Sequence, residues 1–253
     1  WFDRDNDIIK IVERNKKGER EFKDIPVRHT MYVKDPKGKH ISIYGDPVSR
    51  IVCKNTKELR KEQAINSGKT LYEADINPLF VCLSENYLNQ DAPKLNVAFF
   101  DIEVDFDPER GYASPEDAFM PITAIAVHLQ WLDTLVCLAV PPKTLTIEKA
   151  REAVKDFPNT ILFETEYEML DTFLNLNEDA DVLSGWNSEG FDVPYMVNRI
   201  TRIMGKDHNR AWCLWNHFPK AREFEKYGKT AVTYDFVGRV HLDYLDLYQK
   251  YTY

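Results

Sequence analysis

Cysteine and histidine are scarce in this 253-residue chain, with four of the first and six of the second. The cysteines (Cys53, Cys82, Cys137 and Cys213) form no C-x-x-C pair. That argues against a disulfide framework or a zinc ribbon and for a reducing compartment. The histidines also lack metal-ligand spacing. No apolar run approaches the roughly 18 residues of a membrane helix, and no signal-peptide pattern is visible at the start. Internal repeats and low-complexity segments are absent too. The chain opens on Trp1 rather than Met, so a fragment of a longer protein is expected.

What is present describes an ordinary folded protein. Hydrophobic residues make up 43% and aromatics 13%, enough for one large domain or two moderate ones with real cores. The net charge of −8 is unevenly spread: basic residues exceed acidic ones by three over 1–95, and acidic exceed basic by eleven over 96–253. Excess acid argues against broad coating of nucleic acid. It leaves nucleic-acid chemistry open, because hydrolytic metal sites are themselves clusters of carboxylates.

The N-terminal portion alternates apolar and polar residues between turns. DIIKIVERNKKGEREFKDIPV predicts a hairpin around Lys16–Lys17–Gly18, and MYVKDPKGKHISIYG a second around Asp35–Gly38. KNTKELRKEQAINSG predicts a helix ending at Gly68, and LFVCLSENYL a further short element. The polar NQDAPKLN marks a boundary, giving domains over 1–95 and 96–253. Beyond it NVAFFDIEV, ITAIAVHLQW and TLVCLAV are three strand-like runs, the first two separated by a long polar loop over 105–120. TIEKAREAVKDF (helix), NTILFET (strand), YEMLDTFLNLNED (helix), DVLSGWN (strand) and GFDVPYMVNRITRIMG (helix) follow. This order predicts an α/β domain with a mixed central sheet, preceded by a smaller, mostly β (α+β) domain.

Within NVAFFDIEVDF, Asp101 and Glu103 are two residues apart near the end of a strand expected to be buried. That spacing puts both on one face, where a buried charge is costly unless paired or bound to metal. Hard oxygen ligands of this kind suit Mg²⁺ or Mn²⁺. The alternative is that one acid points into solvent and the other pairs with a basic group. SGWNSEGFDVPYMVNRI ends a strand at Asn187 and opens a helix containing Asp192. An acid in a first helical turn complements the helix dipole, which would be reason enough for Asp192. The same junction would bring a third carboxylate to the carboxyl edge of the sheet, where α/β proteins place ligands.

D-I-E in a core strand followed by N-x-x-x-F-D resembles the first two exonuclease motifs of family B DNA polymerases, especially those of T-even-type bacteriophages. The likeness is dense over 96–110, 184–200 and 238–253, and patchy in the N-terminal region, where it includes YGDPVSR. It implies a ribonuclease-H-like 3′–5′ proofreading exonuclease that hydrolyses the 3′-terminal phosphodiester of DNA with two metal ions, Mg²⁺ or Mn²⁺. It also implies a soluble location in the cytoplasm of an infected bacterium. Asp101, Glu103 and Asp192 would be the catalytic and metal-holding acids, with Asn187 and Phe191 shaping the pocket for terminal nucleotides. The implied partners are DNA (a single-stranded primer end and the template strand) and the remainder of a polymerase, which would carry nucleotidyl transfer.

The family's third motif, Y-x-x-x-D, is expected beyond Tyr253, which would leave the site without its fourth acid and the exonuclease impaired in this chain. YEMLD (Tyr167 to Asp171) fits the pattern but precedes the second motif, and reads as a helix with Leu170 and Phe173 facing the core. Asp243 and Asp246 are candidate substitutes, read as structural. KTAVTYDFVGRVHLDY alternates around Gly238 and predicts a hairpin or two adjacent strands. In similar polymerases such a hairpin helps part primer from template, making Tyr234, Phe236 and Arg239 candidates for contact with bases or phosphate. The alternative is that these side chains pack beneath it. By the same resemblance the N-terminal domain flanks the template and is akin to RNA-binding modules. Lys16, Lys17, Lys37 and Lys39 on its turns allow phosphate contact, or form a solvated face. A stand-alone exonuclease and a non-catalytic nucleic-acid-binding module are the other readings. Against the last, a decayed site would have no reason to keep buried acids.

Overall fold

Residues 1–226 and 228–251 are described in the computed structural model. The chain divides into two units, Trp1–Lys94 and Leu95–Tyr253, each with its own sheets. In the first unit β1 (Phe2–Asp3), β2 (Ile8–Arg14) and β3 (Arg20–Pro26) form an antiparallel sheet. Its β2–β3 hairpin turns where the sequence predicts. Asn15 Oδ1 accepts the N–H groups of Lys17 and Glu19, and Gly18 supplies the left-handed φ of 84°.

The second sheet of this unit has the order β5-β6-β4-β7. Its strands are β4 (His29–Lys34), β5 (His40–Ile41), β6 (Pro47–Cys53) and β7 (Leu71–Tyr72). Here the hairpin expected around Asp35–Gly38 is corrected. The turn forms, with Gly38 N–H donating to Asp35 O at 2.8 Å, but β4 and β5 both pair with β6 and not with each other. Gly38 lies so close to β6 that a Cβ would sit 2.2 Å from Val48 C, and Ser49 Oγ donates to Asp35 Oδ2 at 2.7 Å. These contacts lay the turn against β6, which takes the place between its neighbours.

Two helices complete the unit. α1 (Thr56–Ile65) starts behind Asn55, whose side chain accepts Glu58 N–H at 2.8 Å. It stops short of Gly68, because the Asn66 side chain and N–H both donate to Glu62 O. α2 (Pro78–Tyr87) is the element expected from LFVCLSENYL; it buries Cys82 and packs Leu79 against Ile9 and Val27. Among the described residues no helix is long and apolar enough to cross a membrane.

The second unit is built on β8 (Val97–Val104), β9 (Ile122–Leu129), β10 (Thr134–Ala139), β11 (Thr160–Leu162) and β12 (Val182–Gly185). β13 (Lys220–Lys226), β14 (Lys229–Asp235) and β15 (Val240–Asp243) follow. Its helices are α3 (Ile147–Ala153), α4 (Glu166–Leu176), α5 (Asp192–Ile203) and α6 (Tyr244–Tyr251). Six strands form one sheet in the order β11-β10-β9-β8-β12-β15. β9 runs antiparallel to its neighbours, whereas β8, β12 and β15 are mutually parallel and end at the same edge. The mixed α/β sheet matches the sequence expectation.

β14 and β15 do not form a hairpin around Gly238. β14 pairs with β13, and β15 joins the central sheet beside β12. At Gly238 φ is 80°, and a Cβ there would meet Trp215 at 2.6 Å, so the bend is packed against core and turns the chain out of the ribbon. Tyr227 and the last two residues of the 238–253 match lie outside the described residues.

One face of the sheet holds the core. Phe100 packs on Phe173 of α4 at 5.4 Å between ring centroids and on Trp212 at 6.1 Å, and Trp212 stacks on Phe236 at 5.0 Å. Leu170 and Phe173 are fully buried, as the apolar spacing of α4 predicts. α4 carries a complete capping box, Thr165 with Glu168. α5 then straps down the long β8–β9 loop. Tyr195 Oη donates to Met120 O at 2.7 Å, Asn198 Nδ2 to Pro115 O at 2.8 Å, and Arg199 Nη1 to Phe119 O at 2.8 Å.

Candidate active site

Burial along β8 alternates strictly: Ala98, Phe100 and Ile102 are buried, while Phe99, Asp101 and Glu103 are exposed. The expectation of two acids buried in a core strand is therefore corrected. The period of two does place them on one face, but that face is open and the core lies on the other. No desolvation cost has to be met at Asp101 or Glu103.

Asp192 is the buried acid, with 4% of its surface exposed. β12 stops at Gly185 after pairing with Val97–Phe99, so the edge of β8 beyond Phe99 has no strand beside it. Asp192, at the start of α5, fills that gap: its Oδ1 accepts the Ile102 N–H at 3.1 Å. Burial, and then the charge of Asp101, push its pKa up to about 7, with a smaller contribution from Asp243. Asp101 and Asp192 are thus electrostatically coupled across the edge of the sheet.

The loop from β12 to α5 has conformational demands that its sequence meets. A Cβ on Gly185 would lie 2.6 Å from Phe100 O and 2.9 Å from Ser188 Cβ. Asn187 adopts φ 59°, a left-handed conformation that asparagine tolerates better than most residues. Asn187 O accepts the N–H groups of Gly190 and Phe191. Phe191, half-buried at the N-cap position, packs on Tyr195 at 5.3 Å between ring centroids. Alanine at Gly185 is expected to destabilise the chain by about 1–3 kcal/mol, because backbone atoms must move to admit the methyl group. Urea unfolding of Gly185→Ala measures this, and a change below about 0.5 kcal/mol would mean that the loop relaxes freely.

Asp243, a candidate substitute for the fourth acid that the sequence favours as structural, organises the same loop. At the end of β15 its Oδ1 accepts the N–H of Asn187 at 2.9 Å and of Leu245 at 2.9 Å, and its Oδ2 accepts Glu189 N–H at 3.0 Å. Among the described residues, the acids with oxygens within 4.8 Å of one another are Glu189, Asp243 and Asp246. This cluster does not include Asp101, Glu103 or Asp192. Arg222 of β13 pairs with Glu189 and, at 3.2 Å, with Asp235. Glu189 lies inside N-S-E-G-F-D, so its nearness to Asp192 was visible in the chain; its nearness to Asp243 depended on β15 reaching β12.

The residues expected on the hairpin are placed differently. The expectation that Phe236 and Arg239 face nucleic acid is corrected, since both are buried. Phe236 stacks on Trp212, and Arg239 donates to the carbonyls of Asn177 and Glu178. Tyr234 is half-buried and its hydroxyl donates to Asn198 Oδ1 at 3.1 Å.

The donor set suits a hard divalent cation. Two exposed carboxylates stand near the carboxyl end of β8, and the pKa of a third, Asp192, is raised to about 7 by burial and then by the charge of Asp101. A cation at that point reverses the repulsion.

A family model described as DNA polymerase family B, exonuclease domain, matches residues 48–253. A DNA-directed DNA polymerase of Escherichia phage RB69 is 28% identical over 275 residues, covering 96% of this chain and 30% of that protein. The DNA-directed DNA polymerase of Enterobacteria phage T4 is 36% identical over 93 residues, 36% of this chain and 10% of that protein. A DNA polymerase catalytic subunit of Saimiriine herpesvirus 2 (strain 11) is 29% identical over 116 residues, 44% of this chain and 11% of that protein. The chain spans less than a third of the length of each of these relatives.

Proposed function

The chain belongs to the family B DNA polymerases through their exonuclease domain, and from that premise we propose that it removes nucleotides from the 3′ end of DNA by metal-dependent hydrolysis. The observation that carries the reading is the meeting of Asp192 with Asp101 at the carboxyl edge of β8. Exonuclease domains of this family use divalent metals; here Mg²⁺ or Mn²⁺ would be held by Asp101, Glu103 and Asp192. When bound, the ions supply a water of lowered pKa and neutralise charge on the leaving 3′-oxygen.

The protein's own groups do the rest. Asp101 and Glu103 present oxygens to solvent without rearrangement, because the strand pleat aims both outward. The Ile102 N–H holds Asp192 in place beside them. Asn187 and Phe191, on the loop that Asp243 pins from below, would bound the space for the terminal nucleotides. A ribonuclease-H-like sheet thereby supplies acids from one strand and one helix start.

Asp101→Asn is the direct test, with cleavage read in a complete polymerase that carries this chain, since the chain alone is expected to be impaired. Shortening of a 5′-labelled single strand from its 3′ end in Mn²⁺ is expected to fall roughly 100-fold or more, as loss of several kcal/mol of charge stabilisation implies. Mn²⁺ binding measured by calorimetry should weaken alongside. Unchanged cleavage and unchanged Mn²⁺ binding in this variant would remove the assignment.

The wider reading places the chain in a replicative DNA polymerase. Its partners would then be a single-stranded primer end, a template strand and the remainder of the polymerase, in the cytoplasm of a phage-infected bacterium. The N-terminal unit would contact the template or RNA through its basic turns, where Lys16, Lys17, Lys37 and Lys39 are exposed.

A further inference from the structure

Two aromatic residues leave the central sheet side by side. Gly185 and Asp243 are the last partners of the β12–β15 ladder, and Trp186 and Tyr244 are the residues that follow them. The Trp186 ring lies 6.1 Å from that of Tyr244 and 5.6 Å from that of Tyr248, one turn further along α6, with interplanar angles of 49° and 59°. Their exposures are 51%, 49% and 50%. Rings of this size are usually among the most heavily buried groups of a fold. Here Trp186 meets both tyrosines, and all three still turn about half their surface outward.

We propose that Trp186, Tyr244 and Tyr248 form a stacking platform for the bases of single-stranded DNA, holding the strand whose 3′ end enters the acid site. This rests on the nuclease reading above and adds a subsite to it. Three features favour a nucleobase as the occupant. The platform is joined to the acid site by short, fastened connections: Asn187, next to Trp186, donates its N–H to Asp243, next to Tyr244, and the loop runs on directly to Asp192. The platform stands at the carboxyl edge of β12 and β15, the same edge toward which β8 carries Asp101 and Glu103. Finally, the local charge disfavours a grip on phosphate, since Glu189, Asp243 and Asp246 are close by. Base stacking accepts every base, because each has a π-face, as an enzyme that trims any 3′ end requires. The tilt of the Trp186 ring against both tyrosines makes the surface faceted, so more than one base face has a ring to meet.

The test uses the 253-residue chain in EDTA, so that nothing is cleaved, with a fluorescein-labelled strand of eight thymidines read by anisotropy. Trp186→Ala is expected to weaken binding about tenfold or more, and Trp186→Phe to restore most of the loss. Tyr248→Ala, on the exposed side of α6, should weaken binding several-fold with an unchanged thermal melt, which guards against a folding artefact at Trp186. Binding of both alanine variants within twofold of the wild type would overturn the proposal, as would a wild-type chain that does not bind the strand. Altered sedimentation of the variants with unaltered DNA affinity would also overturn it, marking the patch as a protein contact. Metal plays no part in this measurement, so failure of the platform and failure of the nuclease reading, which is tested by Asp101→Asn in Mn²⁺, are separate results.

Discussion

Asparagine at position 192 is expected to stabilise the metal-free chain at pH 8 while abolishing its stabilisation by Mn²⁺. Burial and the Asp101 charge raise the Asp192 pKa to about 7 in the fold, against an ordinary 3.8. The folded state therefore holds this proton more tightly than the unfolded one. The resulting stabilisation is complete below about pH 4 and is lost as pH rises through 7. At pH 8 the fold carries a buried, repelled charge costing on the order of 2–4 kcal/mol, at about 1.36 kcal/mol per pH unit. An amide has no charge to bury and keeps an oxygen for the Ile102 N–H. Urea unfolding in EDTA should show Asp192→Asn more stable than wild type at pH 8 and nearly equal to it at pH 4. Mn²⁺ should then stabilise the wild type more at pH 8 than at pH 5, since the ion displaces the proton, and should leave the variant unmoved. Equal stabilities at pH 8 would show that Asp192 ionises without penalty.

The largest loss of stability is expected at Arg199, far along α5 from the acids. Its Nε and Nη2 donate to Glu166 at 2.7 and 2.6 Å, and Nη1 reaches the carbonyls of Ala118 and Phe119. The paired side chains are only 7% and 12% exposed. Arg199→Ala leaves Glu166 charged, buried and without its counter-ion, at a cost of about 3–5 kcal/mol. It also removes two of the bonds by which α5, the helix that positions Asp192, holds the β8–β9 loop, while those of Tyr195 and Asn198 remain. The double variant Arg199→Met, Glu166→Gln removes both charges and should lose clearly less than Arg199→Ala alone. Calorimetric melts of the three proteins decide the matter; a double variant as weak as the single one would mean that packing, rather than the stranded charge, sets the cost.

A decayed nuclease site has no reason to retain buried acids, but Asp101 and Glu103 are exposed and cost the fold little. Asp192 is the one buried acid of the three, and the metal-linked variants at positions 101 and 192 distinguish an enzyme from a binding module.

The elements of the second unit were largely legible because their signals are local. The alternation in NVAFFDIEV, the apolar spacing in YEMLDTFLNLNED and the stop at Gly205 each act within a few residues. Pairing was not legible where it is long-range. Neither the crossing of Gly38 against β6 nor the place of β15 beside β12 has a local signature. The same holds for Phe236 and Arg239, whose burial depends on Trp212 and on the end of α4.

By itself the sequence determined that Asp101 and Glu103 share a face, because a strand repeats every two residues, and that Asp192 opens a helix after a strand. It also determined the family, because D-I-E and N-x-x-x-F-D follow one another on the right elements. Only the tertiary structure decided which acid is buried, what holds it, and that Asp243 ties the loop between them. The reason is one of reach. β12 ends at Gly185 and leaves the edge of β8 open for Asp192, while β15 brings Asp243 beneath Asn187 from some 56 residues away. No period in the chain encodes that meeting; the order of strands in the sheet does.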